Sequence, residues 1–434
     1  MRTIKLAVVG AGARGFLSYM PYVQRFPHEA EVVAVAEPNT ERRTRFAEAL
    51  QVSPEHIYST WEELLEQPKL CDALLICTQD QMHYEPTLAA LRKGYHVLLE
   101  KPMSSNPAEC IEMERVAREE GRLLSICHVS RYIPFWKQLK ELIQGGAAGD
   151  LMSIQHNENV GYLHYAHSFV RGNWRSDVLS SPMILAKSCH DMDLIRWLVD
   201  ADCTRLSSFG ALGHFRAEHA PAGSAHRCTD GCEVEATCPY SAVRFYMQDP
   251  EVNPFAALIA DPPTEPNRMK AILHGPYGKC VYRTDNNVVD HQTVNMEFAN
   301  GVTVIFSMCG FTRDINRTIQ IMGTKGEIRG DLLSGCIDLF DFSSGTRTVM
   351  QMPASEGGHQ GGDDGIMRQF LSDLRHERYT ATLTSAEASL ESHLMAFAAE
   401  DSRVRNGALI EMREFRQSIA GAAPGGAPQA EMCK

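Results

Sequence analysis

Ile4-Lys5-Leu6-Ala7-Val8-Val9-Gly10-Ala11-Gly12-Ala13-Arg14-Gly15 is the stretch on which the fold turns. Its apolar start reads as a buried strand, and a glycine-rich turn follows at once. Phe16 to Phe26 can form a helix. Val32-Val33-Ala34-Val35-Ala36 reads as the next strand and ends in Glu37, 22 residues past Gly15. Strand, G-x-G-x-x-G, helix, strand, acid is the pattern of a dinucleotide-binding βαβ unit. Gly10 allows the tight turn, Gly12 lets the backbone approach a pyrophosphate, and Gly15 permits close packing of helix on strand. With Ala11, Ala13 and Arg14 they make residues 10–15 the expected cofactor cradle, at a helix N-terminus whose free N–H groups suit phosphate. Glu37 can bind both hydroxyls of the adenosine ribose and would repel a 2′-phosphate, which favours NAD over NADP. Arg42 and Arg43 weaken that preference, because an arginine there can accept the phosphate.

The alternation continues. Ala73 to Cys77 reads as a strand, Tyr84 to Lys93 as a helix, His96 to Leu99 as a strand, Pro107 to Glu120 as a helix and Leu123 to Cys127 as a further strand. This predicts a Rossmann-type, doubly wound parallel sheet over residues 1–128. Ligands of such sheets sit at the carboxyl ends of the strands. Those ends carry Thr78 to His83, Glu100-Lys101-Pro102, and His128 with Arg131. Thr78, His83, Glu100 and Lys101 are therefore candidate cofactor contacts.

The 434 residues, 44 % apolar and 22 % charged, suit a globular protein of two domains. A net charge of −12 argues against a nucleic-acid partner, which needs a basic surface. No apolar run approaches the roughly 18 residues that span a bilayer. The N-terminal apolar run is too short for a signal peptide. Thirteen cysteines are present. Cys71, Cys77, Cys110, Cys127, Cys203, Cys309 and Cys336 lie singly in apolar stretches and read as small core residues, in a reducing, cytoplasmic compartment.

Residues 129–415 form the expected second domain, with a flexible tail over 416–434. Val294 to Phe298 and Val302 to Met308 alternate around Ala299-Asn300-Gly301, a hairpin signal. Thr318 to Met322, Glu327 to Arg329 and Ile337 to Phe340 add strands. Gly357 to Gly365 is a glycine-rich loop with His359, Asp363 and Asp364, either a linker or a loop closing over substrate. It precedes a helix, Ile366 to Leu374. Another helix begins at Cys189, with His190, Asp193 and Trp197 on one face. Cys228, Cys232 and Cys238 cluster in a polar stretch, and Cys280 is the best fourth ligand for a structural zinc that would staple an insertion at about 200–285. An iron–sulfur cluster, free thiols, or a disulfide plus one thiol are the alternatives.

Glu100-Lys101-Pro102 closes the segment Gly94-Tyr95-His96-Val97-Leu98-Leu99, and Thr78-Gln79-Asp80-Gln81-Met82-His83 follows the preceding strand. With these motifs the sequence resembles the Gfo/Idh/MocA (glucose–fructose oxidoreductase and inositol dehydrogenase) family. Its hallmarks are Glu-Lys-Pro after Gly-x-His-Val, and Thr-Pro-x-x-x-His, where Gln79 here replaces the proline. Looser similarity runs to about residue 330 through Gly145-Gly146, Gly149-Asp150, Trp174-Arg175, His190 and Gly323-Thr324-Lys325-Gly326. The resemblance implies a second domain with an open, mostly antiparallel β-sheet that covers the nicotinamide end. It also implies a homodimer or homotetramer formed through that sheet, and sugar or inositol substrates. Lys101 would polarise the reacting hydroxyl, His190 would act with it in proton transfer, and Asp193 would bind a hydroxyl.

The family pattern Asp-x-x-x-His-x-x-Asp meets Ala186 at its first position. Neighbouring Lys187 can supply charge there, but not an anion. Trp174, able to stack on a sugar face, and Arg175 are further substrate candidates. The expected reaction is NAD-dependent oxidation of a secondary hydroxyl of a sugar, glycoside or inositol. The altered motif keeps a second route open, glycoside cleavage by transient oxidation, elimination, water addition and re-reduction.

Overall fold

β1 (Ile4–Val9), β2 (Ala30–Ala36), β3 (Ile57–Tyr58), β4 (Ala73–Ile76), β5 (His96–Leu99) and β6 (Leu124–Ile126) form a six-stranded sheet in the order β3-β2-β1-β4-β5-β6. The structure is a computed structural model that describes residues 2–353, 357–380 and 382–420. Every pairing in this sheet is parallel. β4 and β5 are buried along their whole length, as strands covered on both faces must be. The chain leaves β1 for β2 on one side and returns to β4 on the other, so the strand order reverses beside β1 and opens a crevice there.

The helix expected over Phe16 to Phe26 begins earlier and is broken in two. Ala13–Ser18 is a wide π-turn, and Met20–Arg25 is α-helical. Pro21 lies in the first turn of the second piece, where a missing N–H costs nothing. β3 has two residues and no apolar run, so it left no periodic signal.

The second domain carries β7 (Leu151–Asn159), β8 (Cys203–Ala211), β9 (His291–Phe298), β10 (Thr303–Cys309), β11 (Asn316–Gly323), β12 (Gly326–Asp331), β13 (Cys336–Asp341), β14 (Arg347–Gln351) and β15 (Ile410–Glu411). They form one open sheet in the order β14-β13-β12-β11-β7-β10-β9-β8-β15. Only β10 with β7 is parallel. Gly301, at φ +83°, turns the β9–β10 hairpin in the left-handed region that favours glycine. β8 falls within the stretch expected as an insertion, so the inserted segment lies between β8 and β9. Its helices are Ala242–Tyr246, Pro254–Leu258 and Glu265–His274.

One face of this sheet packs on the helices Cys189–Val199 and Ala386–Val404, through Val294, Val304, Phe306, Leu194, Leu198 and Leu394. The helix Gly362–Arg375 belongs elsewhere. Its Ile366, Met367, Phe370 and Leu371 join Leu6, Val8 and Tyr19 in the core of the first domain. Ile126 N donates to Thr384 O at 2.8 Å, so late residues also cover the edge strand β6. Met412–Ala420 is helical, so the expected tail at 416–434 begins as helix. Its remainder, 421–434, lies outside the described residues. Among the described residues no helix is long and apolar enough to cross a membrane.

Candidate active site

The glycine turn has the geometry a dinucleotide needs. Gly10 stands at φ +92°, and a Cβ there would lie 2.8 Å from Cys77 O. A Cβ on Gly15 would lie 2.1 Å from Gly10 O, whereas one on Gly12 meets nothing within 4 Å. Gly10 and Gly15 are thus required by the fold, and Gly12 keeps open the face that a diphosphate approaches. Glu37 is buried at the end of β2. Its carboxylate accepts Ala11 N at 2.8 Å and Asn39 N at 2.9 Å, which holds it beside the turn. The arginine that folds back towards it is Arg43, donating to Glu37 O at 2.6 Å. Arg42 is exposed.

Arg14 does more than fill the turn. It donates to Glu100 at 2.6 Å, Ser18 at 2.8 Å, Tyr19 at 2.6 Å and Asp363 at 3.1 Å. Burial would raise the Glu100 carboxyl, but Arg14 and the Tyr19 hydroxyl outweigh it and hold it below its ordinary value. Arg14 and Glu100 therefore form a charged joint between the loops after β1 and β5. His83 ties the neighbouring loops, with Nδ1 2.7 Å from Pro102 O and Nε2 3.1 Å from Thr78 O.

Lys101 and His190 come together at the join of the domains. Lys101 Nζ donates to Ala186 O at 2.6 Å. The position lacking the family's aspartate thus presents its backbone carbonyl to the lysine. His190 lies at the start of the helix Cys189–Val199 and is 8 % exposed, with no hydrogen-bond partner for Nδ1. Burial, then Lys101, then His128 hold its imidazole well below its ordinary value, so it is neutral at pH 7.

Asp193 is paired within the protein. Arg131 Nε and Nη2 each donate to its carboxylate at 2.7 Å, and it is fully buried. It braces the helix against the end of β6, and the Ser392 hydroxyl also donates to it at 3.4 Å. Trp174 stands at the rim, its indole N–H 3.4 Å from Asp80, and Arg175 is paired with Asp285 at 2.9 Å. Lys187 faces Glu158 at 3.2 Å. Arg317 bridges Glu158 and Asp191, each at 2.7 Å, and His156 meets Asp191 at 2.7 Å. The anion near Lys187 thus comes from β7. Glu158, Asp191 and Arg317 were missed from sequence. Their one signal was His156 and Glu158 in register with Ile154, polar residues on the buried face of a strand.

The cysteine expectation is corrected. Cys228, Cys232, Cys238 and Cys280 line one cavity as free thiols. Among the described residues no group of three or more His, Cys, Asp or Glu side chains is arranged to hold a metal ion. Neither zinc nor an iron–sulfur cluster is supported. Cys228 packs with Ala242, Phe245 and Ile272, whereas Cys238 and Cys280 pack with the main core of the domain. Burial pushes the Cys238 and Cys280 thiols up, towards the protonated form.

Comparison with known proteins bears on both halves of the chain. Residues 4–128 match an oxidoreductase family's NAD-binding Rossmann fold, and residues 140–422 match the same family's C-terminal α/β domain. YteT of Bacillus subtilis (strain 168), named only by the class oxidoreductase, is 24 % identical over 407 residues, which is 88 % of this chain and 92 % of that protein. A scyllo-inositol 2-dehydrogenase (NADP(+)) of the same organism is 30 % identical over 174 residues, 40 % of this chain and 45 % of the relative. The inositol 2-dehydrogenase of Pseudomonas savastanoi pv. phaseolicola is 26 % identical, over 46 % of this chain and 55 % of its own length. The chain therefore matches only about half of each of these dehydrogenases.

Among solved structures, an oxidoreductase domain protein of Kribbella flavida has a TM-score of 0.71 at 16 % identity, covering 95 % of this chain and all of the other. An Agrobacterium radiobacter oxidoreductase in complex with NAD+, L-tartaric acid and magnesium has a TM-score of 0.68 at 14 % identity, with 95 % and 99 % coverage. At such identities these two speak for the fold alone. With the Glu100-Lys101-Pro102 motif in place and both halves matched, the chain belongs to the Gfo/Idh/MocA family of NAD(P)-dependent oxidoreductases.

Proposed function

We propose that this protein oxidises a secondary hydroxyl of a sugar or cyclitol, with NAD as the hydride acceptor. The observation that carries the reading is the meeting of Lys101 with the unpartnered, neutral His190 at the mouth of the glycine turn. A bound dinucleotide supplies the hydride acceptor. The chain's own residues must place the alcohol and take its proton. Lys101 is held by one hydrogen bond to Ala186 O and keeps two N–H groups for the substrate oxygen. His190 is a neutral imidazole beside Lys101, suited to accept the hydroxyl proton. Trp174, partly exposed at the rim, offers a flat apolar face to a ring, and Lys187 and Arg175 border the same region.

The acidic end of β2 supports NAD over NADP, because Glu37 would stand against a 2′-phosphate. The relatives whose names state an activity are dehydrogenases, and the elimination route gains no support from them. The outer face of the second sheet exposes Phe209, Ile305 and Phe340, which suits pairing with a second copy.

The test is NADH formation at 340 nm with a panel of inositols, aldoses and glycosides, run beside Lys101→Met and His190→Ala. Oxidation of at least one polyol by the wild type, lost in both variants, is expected. NAD binding with no NADH from any polyol would refute the reading. Size-exclusion chromatography with light scattering decides the oligomer, and a monomer at micromolar concentration would refute the pairing.

A further inference from the structure

The loop before the helix Gly362–Arg375 reaches across the sequence to the glycine turn. His359 Nδ1 lies 3.0 Å from Asp363 Oδ2 and 3.2 Å from Arg14 Nη1. Asp363 is buried and also accepts from Arg14, while Asp364 accepts from Arg25 at 2.6 Å. Arg14 sits inside the turn whose backbone is shaped for a diphosphate, so the loop is fastened to the cofactor cradle at its centre.

The loop's backbone is built for this contact. A Cβ on Gly358 would lie 2.2 Å from Asp363 Oδ2, one on Gly362 2.6 Å from Val129 O, and one on Gly365 2.5 Å from Tyr132 Cβ. Glycine at all three lets the loop lie flat on the end of the first domain. His359 at φ +48° and Gln360 at φ +51° are two consecutive non-glycine residues in the left-handed region. Such conformations persist where the surroundings enforce them, and they gather at ligand clamps. Here Asp363 and Arg14 hold the ring.

The ring is half exposed, and among the described residues only its Nδ1 is engaged. Arg14, which touches the ring, also donates to Glu100 beside Lys101, so His359 lies on the path from the turn to the hydride site. In a dinucleotide, that interval is spanned by the second phosphate and the nicotinamide ribose.

We propose that His359 is a cofactor contact contributed by the loop before the helix Gly362–Arg375, its Nε2 meeting a hydroxyl of the nicotinamide ribose, with Asp363 and Arg14 as its positioning residues. This rests on NAD occupying the cradle. A hydroxyl both donates and accepts, so it suits either proton arrangement of the ring.

Calorimetric binding of NAD, ADP-ribose and ADP to the full-length protein tests this. His359→Asn keeps a nitrogen near Asp363 but has nothing at the Nε2 position, whereas His359→Gln extends an amide further out. The half-exposed site lets either variant fold. His359→Asn is expected to bind NAD and ADP-ribose about tenfold more weakly, as for one lost hydrogen bond, with ADP unchanged. His359→Gln should recover part of the loss. Wild-type affinity for all three ligands in His359→Asn overturns the proposal. An equal loss for ADP also overturns it, since the loop would then merely brace the turn. Wild-type protein that binds no NAD would instead undo the cofactor reading.

Discussion

Two alanines in one turn should separate folding from cofactor binding. In Gly15→Ala the new Cβ would stand 2.1 Å from Gly10 O, where ordinary contact begins at 3.4 Å, so something must yield by 3.4 − 2.1 = 1.3 Å. The obstacle is backbone, which cannot swing aside as a side chain would. Overpacking of this kind costs about 1–3 kcal/mol. At roughly 2–4 °C per kcal/mol, the melting temperature should fall by several degrees. Gly12 stands at φ −74° with nothing within 4 Å of its Cβ position. Gly12→Ala should therefore leave stability within about 0.5 kcal/mol of wild type. Its methyl, however, occupies the face that the diphosphate must approach. The assay is thermal unfolding with and without NAD. Ligand at a hundred times its Kd stabilises the wild type by about 2.7 kcal/mol. Gly12→Ala should melt like the wild type without NAD and lose most of the NAD-induced shift. Gly15→Ala should melt lower in both conditions. If the two variants lose stability equally, or Gly12→Ala keeps the full NAD shift, the division of labour within the turn is refuted.

Lys101→Met should lower kcat by about 10²–10⁴, the usual worth of a positioned proton-transfer group, with NAD affinity kept within twofold in the same calorimeter. Arg131→Met leaves Asp193 buried with only the Ser392 hydroxyl, at 3.4 Å, to donate to it, and should cost about 3–5 kcal/mol in urea unfolding. Arg175→Met breaks a pair with the exposed Asp285 and should cost under about 1 kcal/mol. Burial lowers the imidazoles of His128, His190 and His393, the last to about 3, from 6.5. The unfolded chain therefore binds more protons than the folded one below pH 6.5. Stability should fall as pH drops through that window, by up to about 1.4 kcal/mol per pH unit for each histidine. Urea midpoints that stay constant from pH 7 to pH 5 would contradict this.

What the sequence made legible was local. The glycine turn, the apolar runs of β1, β2, β4 and β5, and the Asn300-Gly301 hairpin each write their structure into neighbouring residues. β3 and β15, at two residues each, carry no period. β7 was hidden because His156 and Glu158 occupy its buried face, so apolar alternation fails where the site needs charge. Lys101 and His190 were readable through their motifs. Glu158, Arg317 and Asp191 were not, because Arg317 meets Glu158 through the pairing of β7 with β11 and meets Asp191 across to the helix Cys189–Val199. The pairing of Asp193 with Arg131 was hidden for a related reason, since Arg131 lies 62 residues away and nothing local announces the pair. The four clustered cysteines do reach a common cavity, but spacing alone could not show that Cys228 packs into one apolar cluster and Cys238 and Cys280 into another.

The late helix in the first domain's core sets a schedule for the growing chain. Leu6 and Phe370 share one apolar cluster although 370 − 6 = 364 residues separate them. At roughly 5–20 residues per second on the ribosome, that interval lasts roughly 20–70 s. Throughout it, the nascent parallel sheet offers water the surface that Ile366, Phe370 and Leu371 will cover, and its edge strand awaits Thr384. Contacts this distant in sequence form slowly. A released fragment ending near residue 128 would keep that surface bare for good and should associate with itself. The cradle's Arg14 gains Asp363 only after 363 − 14 = 349 further residues are made. A chain that stops short of Asp363 should thus bind dinucleotide poorly, and competence arrives with that residue.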